Sequence, residues 1–193
     1  MLSLIATFAV LGTSRDVCLE RYVHRAPASA RAYFHAFDSE FTRVGEHRGV
    51  EPALLKAIAW CETRLDPCAV SPAGARGLMQ FMPATFDLVS EAAAVDDPFD
   101  PVHAIECAGV YVAALVNYWK GSLEAVVASY NAGPGAVAKA LKRGRRVPAI
   151  AETEGYVVCV LGTLARFRPS APQVVAEKSL FTDVINLFGS EPQ

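Results

Sequence analysis

Charge is scarce in this sequence: only 20% of its 193 residues are Asp, Glu, Lys or Arg, and the formal net charge is −2. A protein whose main partner is nucleic acid needs a strongly basic surface, so that class is set aside. Long hydrophobic runs are missing as well, although 52% of the residues are apolar, and no stretch suffices to cross a bilayer as a helix. Neither internal repeats nor strand-like alternation stands out. The five cysteines (Cys18, Cys61, Cys68, Cys107, Cys159) lack metal-ligand spacing and leave one over in any disulfide scheme. Cys61, Cys107 and Cys159 stand among Ala, Val or Leu in helical stretches and read as small buried hydrophobes. Cys61 and Cys68 could instead bridge across the turn at Pro67 in an oxidising compartment. What these absences leave is one globular domain with short extensions, large enough to bury a core.

Three segments follow from the pattern. Residues 1–27 open with an apolar run, Leu2 to Leu11, followed by the small residues Gly12-Thr13-Ser14. The run has signal-peptide length but lacks a positive n-region, so a cleaved leader and an anchoring or packing helix both stand. Residues 15–27 read as irregular. Residues 28–168 form the main domain. Ser29 can cap a helix over residues 30–47 with Tyr33, Phe34, Phe37, Phe41 and Val44 on one face, closed by Gly49. Pro52 then starts a second helix. Further helices are expected from Pro83 to about Ala93 and from Pro101 to about Lys120. A short one follows, capped by Ser122, and then one after Gly133-Pro134-Gly135 and one opening near Thr153. Residues 169–193 form a tail with a short amphipathic stripe, Leu180 to Phe188, which packs back on the domain or docks on a partner.

The chemistry concentrates in residues 57–85. On the second helix Glu62 lies at i+7 from Leu55 and i+4 from Ile58, on the apolar face. Burial disfavours the charged carboxylate and pushes its pKa upward, as a general acid working near neutral pH requires. A frayed helix end with Glu62 paired to Arg64 or Arg76 is the plainer alternative. Downstream, Tyr130 and Asn131 sit where a helix meets the Gly-Pro-Gly turn, so a phenol and an amide are held at a rigid corner. Glu152 suits a helix N-terminus on dipole grounds alone. The basic run Lys142 to Arg146 reads as a solvated helix end, or as a weak attractor for an anionic envelope.

Glu62-Thr63, Asp66-Pro67, Ala69, Ser71, Gly74-Ala75, Gly77-Leu78-Met79-Gln80 and Met82-Pro83-Thr85 together resemble the soluble lytic transglycosylase pattern E-S-x-F-N-P-x-A-x-S-x-x-G-A-x-G-L-M-Q-x-M-P-x-T. Three further stretches follow in the family's order. DPFDPVHAIECAGVYVAAL resembles F-D-P-x-x-N-I-x-A-G-x-x-Y-L, with Ala104 for Asn and Ala108 for Gly. ASYNAGPGAV resembles A-Y-N-A-G-P-G-x-V, and ETEGYV resembles E-T-x-x-Y-V. The resemblance spans roughly residues 37–167. It implies a mostly α, lysozyme-like helical domain, resembling that of goose-type lysozyme, that acts on peptidoglycan glycan strands, outside the cytoplasm in the periplasm or cell envelope or on a phage virion. It implies no metal and no cofactor. Nor does it name a membrane or protein partner, although the apolar N-terminus and amphipathic tail permit docking.

The family cleaves between N-acetylmuramic acid and N-acetylglucosamine, leaving 1,6-anhydro-muramic ends. An ordinary glycosidase needs two carboxylates about 5–9.5 Å apart, whereas the motifs here supply one obvious acid, Glu62. By resemblance Ser71 contacts the N-acetyl region or Glu62, Gln80 and Met82 line the muramic subsite, Tyr130 positions the Glu62 carboxyl, and Asn131 and Glu152 complete the groove. Thr63 replaces the usual serine and keeps its hydroxyl. A hydrolytic muramidase and an idle glycan-binding module remain the rival readings.

Overall fold

A computed structural model describes residues 14–23 and 34–168. The apolar run Leu2 to Leu11, the Ser29 cap and the tail 169–193 lie outside the described residues. Eight α-helices are described: α1 Ser14–Cys18, α2 Asp38–Arg48, α3 Pro52–Thr63, α4 Pro83–Ala93, α5 Pro101–Tyr118, α6 Leu123–Ala132, α7 Pro134–Leu141 and α8 Ala151–Phe167. A π-helical turn, Leu19–Val23, continues α1. The stretch read as irregular is therefore partly helical. Its order comes from outside contacts: Cys18 is buried with Cys68 and Phe99 in a small apolar cluster against Leu19 and Tyr22.

Of the helix expected over residues 30–47, Tyr33 and the residues before it lie outside the described residues; α2 runs from Asp38 after a turn at residues 35–37, with acidic Asp38 and Glu40 in the favourable first turn. It ends at Gly49, whose φ of 65° is the left-handed conformation of a helix C-cap. Proline opens α3, α4, α5 and α7 at a first-turn position, where its missing N–H has no intrahelical partner to lose. Asp100 caps α5, accepting from the backbone N–H groups of Val102 and His103. Ser122 occupies the N-cap position of α6 without a side-chain cap bond.

The core is built around α5. It is apolar around most of its circumference and buries thirteen of its residues between Pro101 and Tyr118, as expected of a helix surrounded by others. α2, α3, α4 and α6 pack on it. Gly109 is what lets α2 approach: a Cβ there would lie 2.4 Å from Val44 Cγ1. One buried cluster runs from Phe41 and Leu55 through Ile105 and Leu115 to Val126 and Leu164. Its buried Trp119 Nε1 donates to Ser129 Oγ at 2.7 Å, so the indole enters the core with its polar atom satisfied. α8 packs across both α3 and α6, and Arg168 at its end makes a two-pronged ion pair with Glu51 at the start of α3, 2.8 and 2.9 Å.

The cysteines depart from the sequence reading. Two disulfides form, Cys18–Cys68 and Cys61–Cys159, while Cys107 is free and buried. Cys61 and Cys159 are thus not simply small hydrophobes, and Cys61 does not pair with Cys68. From one helix-end turn Cys61 faces α8 and Cys68 faces α1, with Cα separations of 6.1 and 5.7 Å to their partners, inside the normal range for a bridge. Pairings across 98 and 50 positions leave no local mark in a sequence.

Candidate active site

Glu62 occupies the last turn of α3, below buried Leu55 and Ile58. The helix stops just beyond it because Arg64 turns left-handed (φ 58°) and returns its N–H to Trp60 O at 3.1 Å. Leu65 is left-handed too (φ 71°). Two consecutive non-glycine residues in this region are costly, of order 1 kcal/mol or more each, and such strain concentrates at functional positions. Thr63 Oγ1 donates to Leu78 O at 2.9 Å and lies 3.2 Å from Ala59 O. The hydroxyl retained by the Ser-to-Thr change therefore ties the helix end to the following loop.

That loop, residues 66–82, folds on itself by backbone pairing. Val70 pairs with Arg76 and Arg76 with Phe81 in isolated antiparallel bridges. Ser71 Oγ accepts from Ala75 N–H at 3.0 Å, and Ser71 N–H donates to Ala75 O at 3.0 Å. Gln80, with φ of 49°, donates from Nε2 to Gly77 O at 2.9 Å and to Ala69 O at 3.3 Å. Both side chains thus brace the loop. Gly77 has φ of 72°, and a Cβ on it would fall 1.8 Å from Pro98 O, so the loop's back lies directly on the 96–100 segment. Asp66 accepts from Cys68 N–H at 2.9 Å. Met82 precedes α4 and is 44% exposed, an apolar surface open to solvent.

α8 supplies the opposite side. Glu152 and Tyr156, four residues apart, fall on one face of it, and both act on Glu62. Burial is the main cause that raises the Glu62 carboxyl from its ordinary 4.5 to about 7. The Tyr156 hydroxyl opposes it and the Glu152 charge adds to it. Tyr156 Oη is buried without a hydrogen bond of regular geometry, and its hydroxyl faces Glu62 closely enough to lower the carboxyl's pKa. The phenols of Tyr156 and Tyr130 are both held well above their ordinary range, by burial first and the Glu62 charge second.

Tyr130 closes the floor from α6, in edge contact with Tyr111 and tilted over Phe81. Its hydroxyl donates to Met79 O at 2.8 Å, and the Glu62 charge acts on the same phenol. Asn131 Nδ2 donates to Glu152 Oε1 at 3.3 Å, and its Oδ1 accepts from Thr153 Oγ1 at 2.7 Å. Thr153 lies inside the first turn of α8, whose N-cap is Ile150; it joins α8 to α6 and does not cap. The elements α3, α6 and α8 accordingly bring Glu62, Tyr130, Asn131 and Glu152 together. Ser71, Gln80 and Met82 lie on the loop that Thr63 and Tyr130 fasten to them.

Tyr156 was present in the ETEGYV stretch without an assigned part. Its i+4 spacing from Glu152 was the available signal. Chemically the ensemble is one carboxyl poised to hold or release a proton near neutral pH, beside two phenols that stay protonated, and a second, exposed carboxylate held by an amide.

Residues 40–151 match the profile of the transglycosylase SLT domain. The soluble lytic murein transglycosylase of Salmonella typhimurium is 30% identical over 148 residues, 69% of this chain and 23% of that protein. The peptidoglycan transglycosylase gp16 of Escherichia phage T7 is 34% identical over 102 residues, 51% of this chain and 8% of that protein. Among solved structures, an inactive mutant of the lytic transglycosylase Slt from Pseudomonas aeruginosa superposes with a TM-score of 0.64 at 27% identity. It covers 69% of this chain and 24% of that one. The 70 kDa soluble lytic transglycosylase of Escherichia coli gives 0.60 at 27% identity, over 79% and 25%. The chain spans a quarter or less of the length of these relatives. The helical architecture is thus the lysozyme-like one of those enzymes, and with more than half its residues in the matching profile, this chain belongs to the transglycosylase SLT domain family.

Proposed function

We propose that this protein is a peptidoglycan lytic transglycosylase that cleaves the bond between N-acetylmuramic acid and N-acetylglucosamine and leaves 1,6-anhydro-muramic ends. The observation that carries this reading is Glu62: a single carboxyl, desolvated between α3 and α8, whose pKa of about 7 lets it serve as acid and then as base at one pH. In the first step Glu62 donates its proton to the glycosidic oxygen as the C1–O bond breaks. The substrate's own N-acetyl group stabilises the positive charge at C1, the part a protein nucleophile plays elsewhere. In the second step the Glu62 carboxylate takes the proton of the C6 hydroxyl, whose oxygen bonds to C1. No water is consumed. Holding that hydroxyl against C1 makes the internal attack competitive with solvent.

The remaining residues divide by position. Tyr156 and Tyr130 wall the carboxyl with protonated phenols. Met82 offers its exposed apolar side chain to a sugar face, while Ser71 and Gln80 present the loop that lines the muramic subsite. Asn131 and Glu152 finish the groove at the start of α8. Two disulfides in a chain of this size suit an extracytoplasmic setting, periplasm, envelope or virion.

One observation favours a second reading. The Glu152 charge reaches Glu62, and a carboxylate so placed could activate water, giving a muramidase. Mass spectrometry of muropeptides released from purified peptidoglycan decides between them. The transglycosylase yields ends one water lighter than the hydrolase, and reducing ends would overturn the proposal. Glu62→Gln, folded but inactive, is expected in either case. Retention of glycan without release would indicate a binding module.

A further inference from the structure

The turn that carries Glu62 is held at both ends by covalent bonds. Cys61 directly precedes Glu62 and is bridged to Cys159 on α8; Cys68, just past the turn, is bridged to Cys18 on α1. Between the two anchors lie Arg64 and Leu65, both left-handed, a conformation a chain of ordinary residues leaves when nothing outside holds it. Noncovalent support within the turn consists of Arg64 N–H to Trp60 O at 3.1 Å, Arg64 Nη1 to the same oxygen at 2.9 Å, Asp66 N–H to Thr63 O at 3.2 Å, Cys68 N–H to Asp66 Oδ1 at 2.9 Å, Thr63 Oγ1 to Leu78 O at 2.9 Å and the burial of Leu65.

Each anchor leads to something the site uses. Cys159 stands three residues after Tyr156 and seven after Glu152, on the same helical face, so that bridge joins the acid's helix to the helix that tunes it. Cys18 and Cys68 are buried with Phe99, and Arg15 Nε donates to Cys68 O at 3.2 Å, so the second bridge fixes the root of the substrate loop. Cys61 and Cys68 lie within the family match of residues 40–151, and both outer partners lie beyond it. α3 packs broadly on α8, and α2, α3, α4 and α6 pack on α5, so opening the bridges takes its covalent restraint from the turn while this packing remains.

We propose that the two disulfides are positioning groups for Glu62, so that cleavage is licensed by thiol oxidation: latent while the four cysteines are thiols, competent once both bridges close. This rests on the transglycosylase reading. Each closure is a thiol–disulfide exchange with an oxidant of the disulfide class. Two cysteine S–H bonds and the oxidant's S–S bond break, and the protein S–S bond forms. The oxidant leaves as two thiols carrying the two protons, its sulfurs reduced as the cysteine sulfurs are oxidised. Cys61–Cys159 is only half-buried, whereas Cys18 and Cys68 are 3% and 2% exposed, so the bridge beside the acid opens first.

The test uses the full chain, oxidised, then reduced with dithiothreitol, then reoxidised with oxidised glutathione. Release of soluble muropeptides gives kcat and KM, while circular dichroism and amide exchange report the fold. Small misplacements of a catalytic group cost roughly 10- to 100-fold. Reduction should therefore lower kcat by that factor, leave KM within about twofold and spare the helicity, and glutathione should restore the rate. Exchange should quicken over residues 62–80 and stay slow in α5. Cys61→Val/Cys159→Ala, which keeps apolar bulk without the bond, should reproduce the first loss and resist rescue. A folded double variant as fast as the oxidised chain, with unchanged exchange, overturns the proposal. So does a loss of activity that merely follows loss of helicity. If the oxidised chain itself releases nothing, the transglycosylase reading fails, and the exchange comparison still decides whether the bridges hold the turn.

Discussion

Replacing Glu62 by glutamine tests the desolvation of the acid without any substrate. In the folded chain the carboxyl is raised from its ordinary 4.5 to about 7, so folding favours the protonated form. Between those two values the native state binds more protons than the unfolded state, and stability falls as pH rises. Below 4.5 the group is protonated in both states and contributes nothing; above 7 it is ionised in both and the full penalty stands. At about 1.4 kcal/mol per pH unit, the displacement corresponds to roughly 3 kcal/mol. That is an upper figure, because the half-buried carboxyl keeps some contact with water. Glu62→Gln carries no charge at any pH. Relative to the native chain it should be about equally stable near pH 4, gain steadily through pH 5–7 and level off above pH 8. For a chain of this length that plateau amounts to roughly 6–12 °C in Tm. Thermal and urea melts of both proteins over pH 4–9 read it directly. A difference that stays flat with pH, or a glutamine variant less stable at pH 8, would show that the carboxyl is not desolvated and remove the basis for its role as acid.

Tyr156→Phe removes the hydroxyl that lowers the Glu62 pKa, so the alkaline limb of kcat/KM for muropeptide release should move to higher pH. Glu152→Gln removes a charge that raises it; the same limb should move to lower pH, opposite in sign to the tyrosine variant. Gly77→Ala places a methyl 1.8 Å from Pro98 O at a φ of 72° and should cost more than about 3 kcal/mol in urea unfolding, through displaced backbone.

The helices from Pro52 onward were legible because prolines mark the starts of four of them and apolar residues recur at helical spacing. The burial of Glu62 was legible for the same reason, from its register with Leu55 and Ile58. Tertiary partners were not. The Tyr130 hydroxyl goes to a loop carbonyl, Thr153 reaches across to Asn131, and Cys61 pairs 98 positions away; the first depends on how α6 meets the loop and the other two on how α8 lies on α6 and α3, which local spacing does not encode. The helical stretch 14–23 was missed because its apolar partners, Cys68 and Phe99, lie far along the chain.

The lie of α8 also bears on the order in which the molecule is made. Glu62 is synthesised well before residues 151–167, and the groups on α8 that enclose and tune it arrive only when that helix docks. Until then residue 62 lacks the two α8 groups, Tyr156 and Glu152, that act on it. Contacts between elements so distant in sequence also form late and slowly. The rise of the Glu62 pKa during refolding is therefore expected to report the docking of α8.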